Sequence, residues 1–171
     1  MTLELLEQEI ARLHGASFAW ALLCCRWNES DAEEVLQAAY LRVLDGRARY
    51  AGEASIKTWL FSVVRNVAAE TRRRRWLREE ALARWHARPA ADESQPSPEE
   101  ILASSRRAKQ VQDALGQLAE RQREVLDLVF FHGLTIEEAA QVMGVSLGTA
   151  RTHYERGKGR LLLMLAPEEA R

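Results

Sequence analysis

The chain reads Thr135-Ile-Glu-Glu-Ala-Ala-Gln-Val-Met-Gly144 and continues Val145-Ser-Leu-Gly-Thr-Ala-Arg-Thr-His-Tyr-Glu-Arg156. Thr135 and Glu138 have the spacing of a capping box, which predicts the start of a short helix. Gly144 favours the positive φ that ends such a helix and turns the chain, and Ser146 can cap a second helix. Two short helices joined by a glycine turn form a helix-turn-helix, which indicates binding to DNA.

The second of these helices combines a polar side with an apolar side. Hydroxyl, imidazole and guanidinium groups on its exposed side can reach base edges and phosphates in a major groove. The expected exposed residues are Thr149, Arg151, Thr152, His153, Arg156, Lys158 and Arg160, and the expected inward residues are Ala150, Tyr154, Leu161 and Leu162. Periodicity alone leaves open the alternative of a solvated basic helix at the end of an all-α core.

Charge is unevenly distributed along the 171 residues, although the net charge is only −1. Residues 1–46 contain three Lys or Arg and eight Asp or Glu, whereas residues 47–88 contain eleven and four. A chain with this segregation can present one surface to a basic protein partner and another to phosphates.

Composition predicts a soluble, cytoplasmic protein, because 47% of the residues are hydrophobic and no apolar run approaches the roughly 18 residues of a membrane span. We find no secretory signal pattern at the N-terminus. Cys24 continues the apolar series of the first helix, so packing is favoured over a redox role for it and the adjacent Cys25. The four histidines are scattered, and neither a metal site nor a cofactor is predicted.

Helical periodicity runs through the whole chain, which predicts an all-α fold. A first helix is expected over about Leu3 to Trp27. Ser30-Asp-Ala-Glu33 reads as a capping box that opens a second helix, and Gly46 is expected to end it. The apolar face of this second helix is expected to be Val35, Leu36, Ala39, Tyr40, Val43 and Leu44.

A third helix is predicted after a loop at Arg47 to Ala54, with Ser55 as its cap. Its core-facing residues are expected to be Ile56, Leu60, Val63, Val64 and Val67. Trp59 could stack on a base, but core packing is favoured for an aromatic residue at helical spacing. The helix then enters Arg72-Arg-Arg-Arg75, a run that covers every face of a helical turn, so part of it must face solvent or a polyanion.

Residues 87–98 are predicted to be a flexible linker, since they contain Pro89, Pro96 and Pro98 and carry no apolar stripe. Ser97-Pro98-Glu99-Glu100 can restart the helical pattern as a capping box with Pro at the first helical position. Ile101, Val111, Leu115 and Leu118 would mark the next helix, and Val125, Leu126, Leu128 and Val129 the one that Gly133 ends. The expected domains are two small helical bundles, at 1–86 and 99–166.

Four stretches in this order resemble one family. They are Asp31-Ala-Glu-Glu-Val-Leu-Gln37, Thr58-Trp-Leu-Phe-Ser-Val-Val-Arg-Asn-Val-Ala68 before the Arg run, Leu118-Ala-Glu-Arg-Gln-Arg-Glu-Val-Leu126 and Gly148-Thr-Ala-Arg151. Together they resemble the bacterial extracytoplasmic-function (ECF) sigma factors of the sigma-70 superfamily. The resemblance implies a promoter-specificity subunit of RNA polymerase that is not itself an enzyme.

The resemblance also implies three sets of site residues. Contacts to core RNA polymerase, on the β′ coiled coil, are expected from Asp31, Glu34, Gln37 and Arg42, and the family also contacts the β subunit. Contacts to the promoter minus-10 element are expected from Arg65, Asn66, Arg72 and Arg73, with the 47–54 loop helping to form a pocket for a flipped base. Contacts to the minus-35 element are expected from Ser146, Gly148, Thr149, Arg151, Thr152, His153, Glu155 and Arg156.

Ala150 and His153 depart from the residues that the family usually has, so the minus-35 base preference cannot be carried over. Family behaviour further implies an anti-sigma factor as a partner. Two other classes remain open: a DNA-binding regulator that does not dock on polymerase, and a helical sequestering protein that has lost DNA binding. An enzyme is the weakest alternative, because the sequence contains no Gly-rich phosphate loop, metal-ligand spacing or nucleophile and base pair.

Overall fold

The computed structural model describes residues 3–85 and 113–165. The chain separates into two compact units, within Met1–Pro96 and Ser97–Arg171. The described residues of both units are helical, without a strand, as predicted. The helices of the first unit are α1 (Leu3–Arg12), α2 (His14–Cys24), α3 (Glu29–Leu44) and α4 (Ile56–Trp85), and those of the second are α5 (Glu120–Phe130), α6 (Ile136–Met143) and α7 (Leu147–Leu165).

The single first helix predicted over 3–27 is wrong, because the structure contains two helices that break at Leu13. Leu13 has φ −87° and ψ 0°, outside regular helical geometry, and Gly15 lowers helix propensity just beyond it. The second helix stops at Cys24, since Arg26 and Trp27 both adopt positive φ. The Trp27 N–H then donates to the Leu22 carbonyl at 2.7 Å, closing the helix end.

The capping box predicted at Ser30 is also wrong. Asn28 is the N-cap of α3, and its side-chain oxygen accepts from the Asp31 N–H at 2.9 Å. Asn and Ser are both favourable caps, and Asn28 takes this position, two residues before Ser30. Leu44, expected on the apolar face, is 56% exposed, whereas the rest of that face is buried or half-buried.

The core of the first unit is built from α2, α3 and α4 around Trp20 and Phe61. Both residues are fully buried, and their rings stack at a centroid distance of 5.9 Å. The Trp20 indole N–H donates to the Phe61 carbonyl at 3.0 Å. Leu60, Val63, Val64 and Val67 are buried as predicted, so one side of α4 is fixed in the core and the opposite side is available for function.

The predicted linker at 87–98 and the capping box at Ser97 lie outside the described residues, as do Ile101 and Val111. The described chain resumes with helical residues 113–116. Leu115 within this stretch and Leu118 after it are buried. The domain limits predicted at residues 86 and 99 therefore stay a prediction.

The second unit packs α5, α6 and α7 through buried Val125, Leu126 and Leu128. Gly157, in the middle of α7, is also buried against α5. The expected inward position of Leu162 is wrong, because its side chain is 63% exposed. The inward stripe of α7 passes through Gly157 instead, at the spacing of three residues from Tyr154.

Candidate nucleic-acid and polymerase interface

The helix-turn-helix has the local geometry that its sequence predicts. The Thr135 hydroxyl accepts from the Glu138 N–H at 3.2 Å, and the Glu138 carboxylate accepts from the Thr135 N–H at 2.8 Å, so the capping box is complete. Gly144 ends α6 in the left-handed region, at φ 64° and ψ 39°. The Ser146 side chain accepts from the Thr149 N–H at 3.1 Å and caps α7.

The exposed side of α7 contains nearly all the residues predicted to contact the minus-35 element. Ala150 and Gly157 are buried and fix the inward side, so the opposite side centres on Thr152 and its neighbours one turn away. The exposed residues are Ser146, Gly148, Thr149, Arg151, Thr152, Glu155 and Arg156, while His153 is half-buried. The Thr152 hydroxyl donates to the Gly148 carbonyl at 3.0 Å, which leaves its oxygen able to accept from a base.

The four residues predicted for the minus-10 element lie on one side of α4. Asn66 and Arg73 are seven residues apart and exposed, and Arg65 and Arg72, also seven apart, occupy the adjacent positions. This side is opposite the buried Val64 and Val67. The helix therefore presents a continuous polar and basic ridge about two turns long.

The 47–54 loop folds back onto the beginning of α4, before the ridge. The Tyr50 hydroxyl donates to the Ala54 carbonyl at 2.6 Å, and the Tyr50 ring contacts Trp59 at a centroid distance of 5.3 Å. Trp59 is half-buried, so it is neither a fully buried core residue nor a free stacking platform. Ser55 caps α4 as predicted, since its hydroxyl accepts from the Thr58 N–H at 3.1 Å.

The residues predicted to dock on polymerase divide into two pairs on α3. Glu34 and Gln37 are exposed on the outward side. Asp31 and Arg42 instead lie on the flank next to α4, where each forms an ion pair: Asp31 with Arg75 at 2.6 Å, and Arg42 with Glu70 at 2.5 Å. Two hydrogen bonds from Arg42 lower the pKa of Glu70 and keep its carboxylate ionised.

Sequence reasoning missed two apolar residues on the outward side of α3. Leu41 and Leu44 are each 56% exposed. With Glu34 and Gln37 they follow the spacing 3, 4, 3, so the four side chains form one stripe along the helix. We call Glu34, Gln37, Leu41 and Leu44 the α3 stripe. The spacing of the stripe is visible in the sequence, but Leu44 also fits the spacing of the buried residues of α3 and is therefore expected in the core.

Cys24 and Cys25 lie at the end of α2 beside an open cavity of about 400 Å³ that Asp31, Arg72 and Arg75 also line. Burial, and secondarily the charge of Asp31, raises the pKa of Cys25 from 9.0 to about 11. Both cysteines are half-buried, and neither is part of a disulfide. In residues 3–85 and 113–165, no three His, Cys, Asp or Glu side chains gather as a metal site.

Comparison with known proteins places both units in one superfamily. Residues 13–78 match the family model Sigma-70 region 2, and residues 108–161 match Sigma-70, region 4. The ECF RNA polymerase sigma factor SigX of Bacillus subtilis is 31% identical over 133 residues, which cover 76% of this chain and 68% of that protein. RNA polymerase sigma factor CarQ of Myxococcus xanthus is 32% identical over 146 residues, which cover 83% and 79%.

The chain belongs to the ECF RNA polymerase sigma factors. This ECF sigma factor binds core RNA polymerase and directs it to promoter DNA, which agrees with the family predicted from the sequence. The matched part of a further relative, SigE of Mycolicibacterium smegmatis, covers only 53% of that protein at 34% identity.

Two solved structures share the fold of this sigma factor. The sigma factor RpoE in complex with the anti-sigma factor NepR, from Bartonella quintana, superimposes with a TM-score of 0.71 at 23% identity, covering 93% of this chain and 95% of that one. CnrH in complex with the cytosolic domain of CnrY gives a TM-score of 0.62 at 24% identity, covering 96% and 89%. Within the described ranges of the sigma factor, no helix is both long and apolar enough to cross a membrane.

Proposed function

We propose that the α3 stripe is the surface by which this sigma factor docks on core polymerase. The stripe combines the Glu34 carboxylate with two exposed leucines on one helix side. Exposed apolar area beside an acidic group suits a basic helical partner such as the β′ coiled coil. Asp31 and Arg42 belong to the same predicted set, but their ion pairs to α4 make them a poorer fit to direct contact.

The basic ridge of α4 is the proposed site for the minus-10 element. Arg73 and Asn66 can follow a phosphate backbone, with Arg65 and Arg72 beside them, and the 47–54 loop packs on Trp59, earlier on the same helix. Melting requires capture of an unstacked base together with electrostatic binding of a single strand. The Tyr50–Trp59 contact supports this role because it gives the loop a fixed position against α4.

The exposed side of α7 is the proposed minus-35 reader. A capped helix N-terminus with Gly148 exposed lets a phosphate approach the backbone, since a Cβ at that position would find only the Ser146 hydroxyl, 3.9 Å away. Arg151 and Arg156 can address guanine, and Ser146, Thr149, Thr152, His153 and Glu155 complete the proposed surface. The β subunit is a further proposed contact of this sigma factor.

An anti-sigma factor is the proposed regulator of this sigma factor. The proposed location is the cytoplasm, and the proposed role is binding to polymerase and DNA without catalysis. Support comes from the similar structures, in which RpoE is in complex with the anti-sigma factor NepR and CnrH with the cytosolic domain of CnrY. An inhibitor that covered the α3 stripe would block polymerase docking. The exposed leucines of the stripe provide apolar area for such a contact.

The observation that carries the proposal is the separation of charge on two sides of one unit: the α3 stripe is acidic and apolar, whereas the α4 ridge is basic. A gel-shift experiment with core polymerase and forked promoter DNA tests it. We expect a ternary complex that forms only when chain, polymerase and DNA are all present. A DNA-binding regulator that does not dock on polymerase would shift DNA without polymerase. A helical sequestering protein that has lost DNA binding would give no DNA shift.

A further inference from the structure

Two ion pairs join α3 to α4 near opposite ends of α3. Arg75 donates to both carboxylate oxygens of Asp31, at 2.6 and 2.8 Å. Arg42 donates to both carboxylate oxygens of Glu70, at 2.5 and 2.9 Å. Paired hydrogen bonds of this kind fix orientation as well as distance, because the planar guanidinium must lie in the plane of the carboxylate.

The Asp31–Arg75 pair determines which arginines of residues 72–75 face α3 and which lie on the ridge. Successive residues of a helix point about 100° apart, so the direction of Arg75 determines that of Arg72 and Arg73. Arg75 is turned toward α3, and Arg74 lies 3.8 Å from Glu70. Arg73 is exposed on the ridge side with Asn66. A rotation of α4 that carried Arg75 off Asp31 would move the ridge by the same angle.

Asp31 is poorly placed to touch a partner. Its side chain is 21% exposed, and both of its oxygens are already engaged by Arg75. Glu34, three residues later, is exposed and makes no ion pair within the described ranges. The resemblance implies a polymerase contact for both Asp31 and Glu34, but only the Glu34 carboxylate is exposed, while that of Asp31 is held in an ion pair.

We infer that Asp31 is a positioning residue, which holds Arg75 and thereby aims the α4 ridge at the promoter, and that it does not contact polymerase. The inference rests on the proposed melting role of the ridge. The pair borders an open cavity, and the Arg75 side chain is 42% exposed, so solvent screens it. Because a screened but bidentate pair is worth modest energy, we expect its loss to slow promoter opening by about three- to tenfold.

The test compares Asp31→Asn, Arg75→Gln and the double variant Asp31→Asn/Arg75→Gln in the full chain with core polymerase. Glu29→Gln is the matched control, since it also removes a first-turn carboxylate of α3 but lies outside the ion pair. Core affinity is measured by fluorescence anisotropy. Opening rates are measured on a duplex promoter and on the same promoter with a pre-melted bubble, which separates aiming of the ridge from general loss of folding.

The expected result is that Asp31→Asn slows opening on the duplex more than on the bubble, leaves core affinity within about twofold, and has no further effect once Arg75 is Gln. The inference is overturned if Asp31→Asn weakens core binding by more than about twofold, if its effect persists in the Arg75→Gln background, or if it behaves like Glu29→Gln. Failure of the wild-type chain to bind polymerase or open the promoter would instead contradict the proposed function.

Discussion

Gly157 of α7 lies against Gln122 of α5 so closely that a Cβ on the glycine would be 3.1 Å from the Gln122 Cβ and 3.3 Å from its carbonyl oxygen. The same Cβ would be 3.0 Å from a methyl of Leu126. These distances are shorter than ordinary van der Waals contact. This close approach holds α7 against α5, so the exposed side of α7, opposite Gly157, has a fixed position.

Gly157→Ala is therefore expected to destabilise the chain by about 1 kcal/mol or more, because the added methyl overpacks the α5–α7 contact. Gly159→Ala is the control, since a Cβ at Gly159 meets nothing within 4 Å. That change should raise the free energy of unfolding by about 0.5–1 kcal/mol through helix propensity. Denaturant unfolding of both variants measures the difference, and equal shifts would contradict the packing argument.

The Cys25 thiol should be unreactive near neutral pH. Its pKa is raised from 9.0 to about 11, so the thiolate that reacts with alkylating agents is scarce below pH 9. In a Cys24→Ser background, we expect the alkylation rate to rise with pH without a plateau up to pH 10. A plateau near pH 9 would mean that burial does not protect the thiol.

Cys25 also gives a stability prediction with a definite sign. Between pH 9.0 and about 11 the folded chain keeps a proton that the unfolded chain releases. The free energy of unfolding should therefore fall as the pH rises through this window. Cys25→Ser should flatten that dependence, as measured by denaturant titration at several pH values, while an unchanged slope would assign the dependence to other groups.

Glu34→Lys is expected to weaken core polymerase binding by on the order of tenfold, because it reverses the only charge of the α3 stripe. Glu7→Lys makes the same charge change at an exposed position on α1, a different helix from the stripe. Equilibrium binding to core polymerase at two salt concentrations compares them. Equal losses from both variants would show a general charge effect and argue against the stripe.

Replacing Arg72 and Arg73 with Ala should impair promoter opening by on the order of tenfold on duplex DNA, and less on a pre-melted bubble, because the ridge binds the separated strand. Arg74→Ala is the control, since Arg74 belongs to the same run but faces Glu70. Opening kinetics with a fluorescent promoter provide the measurement. Equal defects on duplex and bubble templates would exclude a role in melting.

Arg151→Ala should cost about 1–3 kcal/mol at a matched minus-35 site if the guanidinium addresses a base edge. Its position on the exposed side of α7, next to Thr152, makes such a contact possible. Binding to a set of sites with each base varied in turn measures the discrimination. A loss of the same size on every sequence would indicate a phosphate contact instead.

Much of the fold was predictable where its signals are local. Thr135, Gly144 and Ser146 act through hydrogen bonds and φ values within one turn, and all three behave as their sequence indicates. The end of α2 carries no comparable signal, since Arg26 and Trp27 adopt positive φ without glycine. Tertiary packing decides that turn, and with it the choice of Asn28 as the cap.

For the candidate site, the sequence predicts which residues share a helix side but not which residues pair with each other. Spacing correctly groups Arg65, Asn66, Arg72 and Arg73, because seven residues make nearly two whole turns. The Asp31–Arg75 pair joins residues 44 positions apart, and the rotation of α4 in the core decides which arginine reaches Asp31. No local pattern in the Arg run distinguishes its four members.

Run-off transcription with core polymerase and a promoter library, followed by mapping of start sites, tests the central claim most directly. We expect the wild-type chain to direct initiation at a defined set of promoters that share minus-10 and minus-35 elements. When the chain is limiting, Glu34→Lys should abolish this initiation, whereas Glu7→Lys should retain it. Initiation that does not depend on the chain, or that is the same with either variant, would contradict the account.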